Sequence, residues 1–514
     1  MRVPNKLLLP TLPILLLCLT MTSVQSYAAE PEKAAPLNVL FISIDDLNDW
    51  IGCMNGHPQA LTPNMDRLAA RGMLFANAHC AAPACNPSRA AVFSGRMPQT
   101  TKIWGNGSGS LQKHNPGMLF LPVAFDKANY RTLGTGKLLH SKSGSLFDDY
   151  FDTQQRWSPF TGRVAVEYTD AEQASKATDN PRHVMKDPLG RELVLPLNRM
   201  PSDRRPDTKD GESFDWGPID VPDGEYGDTR ITDWAAEELN KKRKKSFFLA
   251  VGYYRPHIPL FAPARFFERF KKQPAELPPF KADDLDDLGE TGKRYALEAV
   301  TAGSHKTVVE HQQWRAAVEA YLACTTYVDE EIGRLIDTLD ASAHADNTWI
   351  VLWSDHGWHL GEKQHWGKVT GWERSTRVPL IMVPPKRDAA AFAKAGSVCE
   401  QPVSLLDLYP TLIEACGVKG PEKLDGHSLL PLLRDPKAAF RPATVTLIKR
   451  DASSLRDRDW RYIRYDDDSE ELYDLNTDPN EWHNHASVPE HAKRLASLKK
   501  KLDALLAEFE ATAN

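Results

Sequence analysis

Three stretches of this chain share one form: a run of apolar residues stopped abruptly by ionisable ones. LNVLFISIDDLNDW (37–50) runs into Asp45 and Asp46, SFFLAVGYYRPHIP (246–259) into Arg255 and His257, and NTWIVLWSDHGWH (347–359) into Asp355 and His356. A strand with one wet face alternates apolar and polar residues. A run without alternation is buried on both faces, as in a parallel sheet between two layers of helices. Helical patterns separate the runs. TPNMDRLAARG (62–72) has a threonine at the capping position, a proline after it and a closing glycine, and residues 312–340 keep a helical period. The expected fold class is therefore α/β, a large domain whose mostly parallel central sheet is flanked by helices. Ligands of such sheets bind at the carboxyl ends of the strands. Asp45, Asp46, His257, Asp355 and His356 are expected to meet there.

A chain of 514 residues, 41% hydrophobic, has room for one large domain and a smaller one. Near 436 the pattern changes. ATVTLIKRD and WRYIRYDDDSEELYDL read as strands joined by hairpins. A terminal helix follows, opened by a capping box from Ser487 to Glu490, with Leu495, Leu498, Leu502, Leu505, Leu506 and Phe509 as its apolar stripe. The expected organisation is a signal peptide over 1–28, a linker over 29–36, a catalytic domain over 37–436 and a small C-terminal α+β subdomain over 437–514. Residues 152–230, rich in Pro, Asp, Gly and Arg, are expected to form long surface loops facing the substrate.

The signal peptide rests on Arg2 and Lys6 ahead of LLLPTLPILLLCL, and on the small residues near Ala28. Pro10 and Pro13 interrupt the run, which is short for a membrane span. Leu17 ahead of Cys18 does not suit lipoprotein cleavage. An exported protein, periplasmic or secreted, is expected. Loss of Arg2 and Lys6 takes the formal charge from −6 to −8. The longest basic block is KKRKK (241–245), so nucleic acid is not an expected partner. Six cysteines remain after Cys18 is removed; if Cys85 is chemically special, at least one of the other five stays unpaired, and the sequence leaves their connectivity open.

Carboxylates gathered at one edge repel one another, and a divalent cation is the simplest reason to collect them. Oxygen ligands favour Ca²⁺ or Mg²⁺, and His356, unusual for either, leaves the metal's identity open. Taken alone, Asp45-Asp46 also reads as a helix cap. CAAPACNPSRAAVFSGRMP (80–98) reads as a loop entering a helix, which puts the Cys85 thiol near a helix N-terminus, an anion-binding position. A lone cysteine there is ordinarily structural. Lone lysines such as Lys137 are ordinarily surface residues, and lone histidines such as His140 core or capping ones.

The full string overrides those separate readings. Cys85-x-Pro87-Ser88-Arg89, four residues, then Ser94-Gly95-Arg96 resembles the signature of the type I, formylglycine-dependent sulfatases of the alkaline phosphatase-like superfamily. NVLFISIDDL, GTGKLLH, VGYYRPHIPL, SDHGWHLGEKQHWGK, RVPLIMVP and ELYDLNTDPNEWHN extend the resemblance over most of 37–485, and toward the iduronate-2-sulfatase branch. That branch has histidine where most sulfatases have asparagine at the position of His356. The resemblance implies that a maturation enzyme oxidises Cys85 to formylglycine, whose hydrate is the nucleophile. It implies Ca²⁺ held by Asp45, Asp46, Asp355, His356 and the group derived from Cys85. Arg89 would hold the hydrate, Lys137 and Lys368 the sulfate oxygens. His140 would take a proton as the covalent sulfate collapses, and His257 would serve the leaving sugar oxygen. A geminal diol suits this chemistry because one hydroxyl attacks and the other drives release.

The expected activity is hydrolysis of a sulfate ester on a glycan or oligosaccharide, iduronate-2-sulfatase-like. The alternatives are a phosphodiesterase or phosphonate monoester hydrolase of the same superfamily and a non-catalytic glycan-binding relative. Trp104 and Asn106 are candidates to shape the sugar pocket. His359 and His365 are expected behind the site or at the surface.

Overall fold

A computed structural model describes residue 1 and residues 36–153, 158–160, 166–168, 183–201, 214–300 and 303–513. The expected signal peptide, its cleavage site and all but the last residue of the linker lie outside the described residues.

The central sheet has eight strands: β1 (Asn38–Ile44), β2 (Met73–Phe75), β3 (Arg131–Gly136), β4 (Asp149–Phe151), β5 (Phe247–Tyr253), β6 (Thr348–Ser354), β7 (Leu380–Val383) and β8 (Ser397–Cys399). Their order is β8-β2-β7-β6-β1-β5-β3-β4. Only β7 runs against the others. The three apolar runs are the three central strands, side by side. Ile44 pairs with Tyr253 on one flank and Ser354 on the other, so the ionisable residues after them leave the sheet at one edge.

Two hydrophobic layers explain the missing alternation. Val39 and Phe41 point into one, with Phe93, Phe248, Val351 and Trp353. Leu40, Ile42 and Ile44 point into the other, with Leu249, Val251, Ile350 and Leu352. The helices that cover the sheet include α1 (Pro63–Arg71), α2 (Cys85–Ser94), α3 (Gly227–Asn240) and α4 (Trp314–Ala341). The Thr62 side chain does not cap α1. Asp329 of α4 does so instead, accepting from the Asn64 and Met65 backbone N–H groups at 3.1 and 2.8 Å.

At the C-terminus, β9 (Thr444–Lys449), β10 (Ala452–Arg456), β11 (Trp460–Arg464) and β12 (Glu470–Asp474) form an antiparallel meander followed by α5 (Ala492–Ala513). Leu498, Leu502 and Phe509 of α5 pack with Val445 and Leu455, and the same cluster takes in Ala81, Ala91 and Met97 around α2. The expected capping box does not form. A short 3-10 turn, Pro489–His491, precedes the helix and has Val488 at its N-cap without a side-chain bond.

The described residues within 152–230 hold more regular structure than the composition of that segment suggests. Its described parts include a three-stranded antiparallel sheet, Val166–Tyr168, His183–Lys186 and Glu192–Leu195. Met185, Leu195, Phe214 and Trp216 are buried in a cluster with Trp366. These strands are too short for a periodic signal to stand out from the polar residues around them. All six described cysteines are free thiols. No helix among the described residues is long and apolar enough to cross a membrane.

Candidate active site

Four chain segments converge beyond the sheet edge. β1 delivers Asp45 and Asp46, β6 delivers Asp355 and His356, β5 leads to His257, and β3 leads to Lys137 and His140. Entry of Lys137 depends on two glycines. Gly136 has φ +71, and a Cβ there would lie 2.0 Å from the Gly252 carbonyl; a Cβ on Gly252 would lie 2.3 Å from the Lys137 carbonyl. Asp46 itself has φ +63, a conformation that costs energy in an aspartate. It is held by its N–H to Asp355 Oδ1, 3.1 Å, and by Tyr321, whose hydroxyl donates to the Asp46 carbonyl at 2.8 Å.

Cys85 is the first residue of α2, with Ala84 extended at the cap. Its Sγ lies 3.0 Å from Lys368 Nζ, 3.3 Å from His356 Nε2 and 3.6 Å from Lys137 Nζ. Half-buried His140 also hydrogen-bonds to it. Burial opposes a thiolate, but Lys137, Lys368 and His356 outweigh it and hold the thiol well below its usual range. One turn on, fully buried Arg89 donates Nε to Asp355 Oδ2 at 2.8 Å and Nη2 to Asp45 Oδ1 at 3.1 Å. Lys137 pairs with Asp45 and Lys368 with Asp46, the latter at 2.7 Å. Asn86, next to Cys85, donates its side-chain amide to the Gly105 and Gly109 carbonyls at 3.2 and 2.9 Å. Its backbone N–H reaches Asn106 Oδ1 at 3.0 Å.

These residues fit a cation. Asp45, Asp46, Cys85 and His257 offer ligand atoms within 4.8 Å of one another, as do Asp45, Cys85, Asp355 and His356. Asp46 Oδ2 is buried without a hydrogen-bond donor among the described residues, with His257 Nε2 3.9 Å away. An orphaned carboxylate oxygen at full burial is costly unless something positive completes it. Burial raises Asp355, with Asp45 and Cys85 adding to the effect, against Arg89 and His356. Burial alone would lower His356, but Asp355 beside it holds it up, at about 9.

All ten residues expected from the sequence lie at this edge. Behind them is a supporting layer, of which the sequence offered only His359 and His365 as candidates. His365 is fully buried and faces the Ala296 carbonyl at 2.9 Å and the Lys368 carbonyl at 3.0 Å. Arg461 of β11 is also fully buried. It donates to the Gly371 carbonyl at 2.7 Å and pairs with Glu373 and Glu481. Ser454 of β10 reaches the same carbonyl at 2.7 Å. The C-terminal strands therefore grip the turn that carries Lys368. They also hold the approach to Cys85, since the Leu447 N–H donates to the Ala81 carbonyl at 2.8 Å.

Solved structures with this fold include a 2-O GAG sulfatase, 20% identical with a TM-score of 0.67 over 92% of this chain and 93% of that one. The phosphonate monoester hydrolase of Agrobacterium radiobacter is likewise 20% identical, with a TM-score of 0.68 over 92% and 96%. The chain belongs to the sulfatase family and is a sulfuric ester hydrolase. The family described as Sulfatase matches residues 37–418, and that described as N-sulphoglucosamine sulphohydrolase, C-terminal, matches 361–508. A sulfatase of Formosa agariphila is 33% identical over 483 residues, 93% of this chain and 88% of the relative. Human iduronate 2-sulfatase is 29% identical over 418 residues, 75% and 70% of the two chains.

Proposed function

We propose that the chain is an exported carbohydrate sulfatase that hydrolyses a sulfate ester on a glycan, iduronate-2-sulfatase-like, through a formylglycine made from Cys85. The observation that carries this reading is the position of Cys85 Sγ, 3.0 Å from Lys368 and 3.6 Å from Lys137 at the N-terminus of α2. Two ammonium groups and a helix end converge on one atom, a setting for an anionic group under attack. Resemblance to human iduronate 2-sulfatase supports the glycan.

Oxidation of Cys85 by a formylglycine-generating enzyme would supply a hydrated aldehyde, a nucleophile with a second hydroxyl for release. Ca²⁺, for which the donors are Asp45, Asp46, Asp355, His356 and the group at position 85, would supply Lewis acidity at the sulfate. The chain's own residues do the rest. Lys137 and Lys368 grip the sulfate oxygens, and Arg89 orients residue 85 through its bridge to Asp45 and Asp355. His140, on the rim, takes a proton from the group at position 85. His257 has its Nδ1 on the Ile258 carbonyl and shares a side-chain hydrogen bond with Cys85, which sets its ring beside residue 85 to serve the departing sugar oxygen. Burial and Lys137 lower the His257 pKa, against Asp46 and Asp45, and favour a group that gives up its proton readily.

The test is anion release from protein co-expressed with a formylglycine-generating enzyme. The panel holds a 2-sulfated iduronate disaccharide, sulfated algal oligosaccharides and a phosphate diester. Sulfate from a sugar supports the reading, and the responding sugar names the substrate. Phosphate release in its place would favour the phosphodiesterase or phosphonate hydrolase alternative, and glycan binding without turnover the non-catalytic one.

A further inference from the structure

Charge is unevenly distributed along this chain. From Arg67 to Phe147 there are ten lysines and arginines and one carboxylate, Asp126, a formal +9 in a chain of −6. That segment contributes Cys85, Arg89, Lys137 and His140. Six of its ten cations are spent in ion pairs, among them Arg89 and Lys137. Lys102, Lys113 and Lys142 are exposed and have no carboxylate at ion-pair distance among the described residues, and exposed His114 stands with them.

Hydrogen bonds tie these four residues to the rim of the site. Asn86 holds the Gly105 and Gly109 carbonyls, and the His114 ring lies against Gly109, where an added Cβ would be 3.3 Å from its Nε2. Gln112, beside Lys113, donates to the Lys142 carbonyl at 3.1 Å, two residues past His140. Asn115 ties the same loop to the Thr101 carbonyl beside Lys102, at 2.9 Å. A Cβ on Gly105 or Gly107 would meet nothing within 4 Å, so the backbone beside Asn86 is open to solvent.

We propose that Lys102, Lys113, His114 and Lys142 form an anion-binding rim that holds further sulfate or carboxylate groups of an extended acidic polysaccharide whose sulfate ester is cut at Cys85. The proposal rests on the sulfatase reading above and deepens it. An acidic polymer is repelled by a protein of net negative charge, and a local basic rim offsets that repulsion where the substrate must enter. Exposed charges act over about 8 Å at physiological ionic strength, so the grip weakens as salt rises. The glycines at 105 and 107, without side chains and with open space beside them, leave that backbone accessible between the lysines.

The experiment compares the matured wild type with K102A/K113A/K142A and with K242A/K244A/K245A, which removes three exposed lysines elsewhere. Each hydrolyses 4-nitrophenyl sulfate with and without dextran sulfate, and binding of fluorescent dextran sulfate is measured in parallel. Expected are an unchanged rate on the small ester in all three and a tenfold or greater weakening of dextran sulfate inhibition and binding in the rim variant alone. The loss should shrink as sodium chloride is raised. Equal inhibition and binding across the three proteins, or equal loss in both variants, overturns the proposal. If the wild type cleaves no sulfate ester, the sulfatase reading fails, while the binding comparison still decides the rim.

Discussion

Lys368 and Cys85 come from segments far apart in the chain, yet Nζ and Sγ meet at 3.0 Å while the same ammonium holds Asp46 Oδ1 at 2.7 Å. One cation thus faces both the reacting position and the carboxylate cluster. Burial would lower the Lys368 pKa, but Asp46, Cys85 and Asp45 raise it, so it stays charged where it is needed. Lys368→Ala is expected to lower kcat/KM on the order of 10²–10³-fold, with the circular dichroism spectrum unchanged. A wild-type rate would remove Lys368 from the sulfate site.

Metal removal should be felt by the fold as well as the activity. A cation that binds only the native state stabilises it by about 2.7 kcal/mol at a hundredfold excess over Kd. Differential scanning calorimetry with EDTA and then with added Ca²⁺ should show Tm falling and recovering. Asp355→Asn should blunt that response. Identical transitions in both conditions would argue against a cation among these carboxylates.

Arg461 couples the C-terminal strands to the Lys368 turn. Arg461→Met takes the arginine from buried Glu481 and leaves Glu373 to Arg456 at 3.2 Å, at a cost of roughly 3 kcal/mol. Ser454→Ala removes one bond to the Gly371 carbonyl, at about 1 kcal/mol. The graded loss is expected in urea unfolding. Two variants of equal stability would contradict the coupling.

His305 gives the fold an acid sensitivity away from the site. It stacks on Trp366 and meets Trp314 edge-on, and neither ring nitrogen has a hydrogen-bond partner among the described residues. Burial, with help from His365, lowers its pKa from 6.5 to about 4. Between those values the unfolded chain binds a proton that the native state refuses, so stability falls as pH drops from 6.5 to 4. The loss amounts to about 3 kcal/mol for this group. His305→Phe keeps the aromatic contacts and should flatten the Tm profile over that window. An unchanged profile would assign the acid loss elsewhere.

The sheet and its catalytic edge were legible because chemistry and pattern coincide there. A strand buried on both faces must be continuously apolar, so Asp45, His257 and Asp355 stood out as the points where Leu40–Ile44, Phe247–Tyr253 and Trp349–Trp353 stop. The supporting layer was not legible. Arg461, Glu373 and Glu481 satisfy one another only after distant segments meet, and alone each reads as a surface charge. Tyr321 carries no mark of its contact with Asp46. The strands around His183–Leu195 were hidden for another reason: segments this short gain their order from packing on Trp216 and Trp366, not from periodicity.

The most direct test compares sulfate release, by ion chromatography, from wild-type protein and Cys85→Ala. Both would be co-expressed with a formylglycine-generating enzyme, and mass spectrometry would verify the aldehyde at residue 85 of the wild type. The account predicts sulfate from the wild type alone, with both proteins folded. Turnover by Cys85→Ala at the wild-type rate would contradict it.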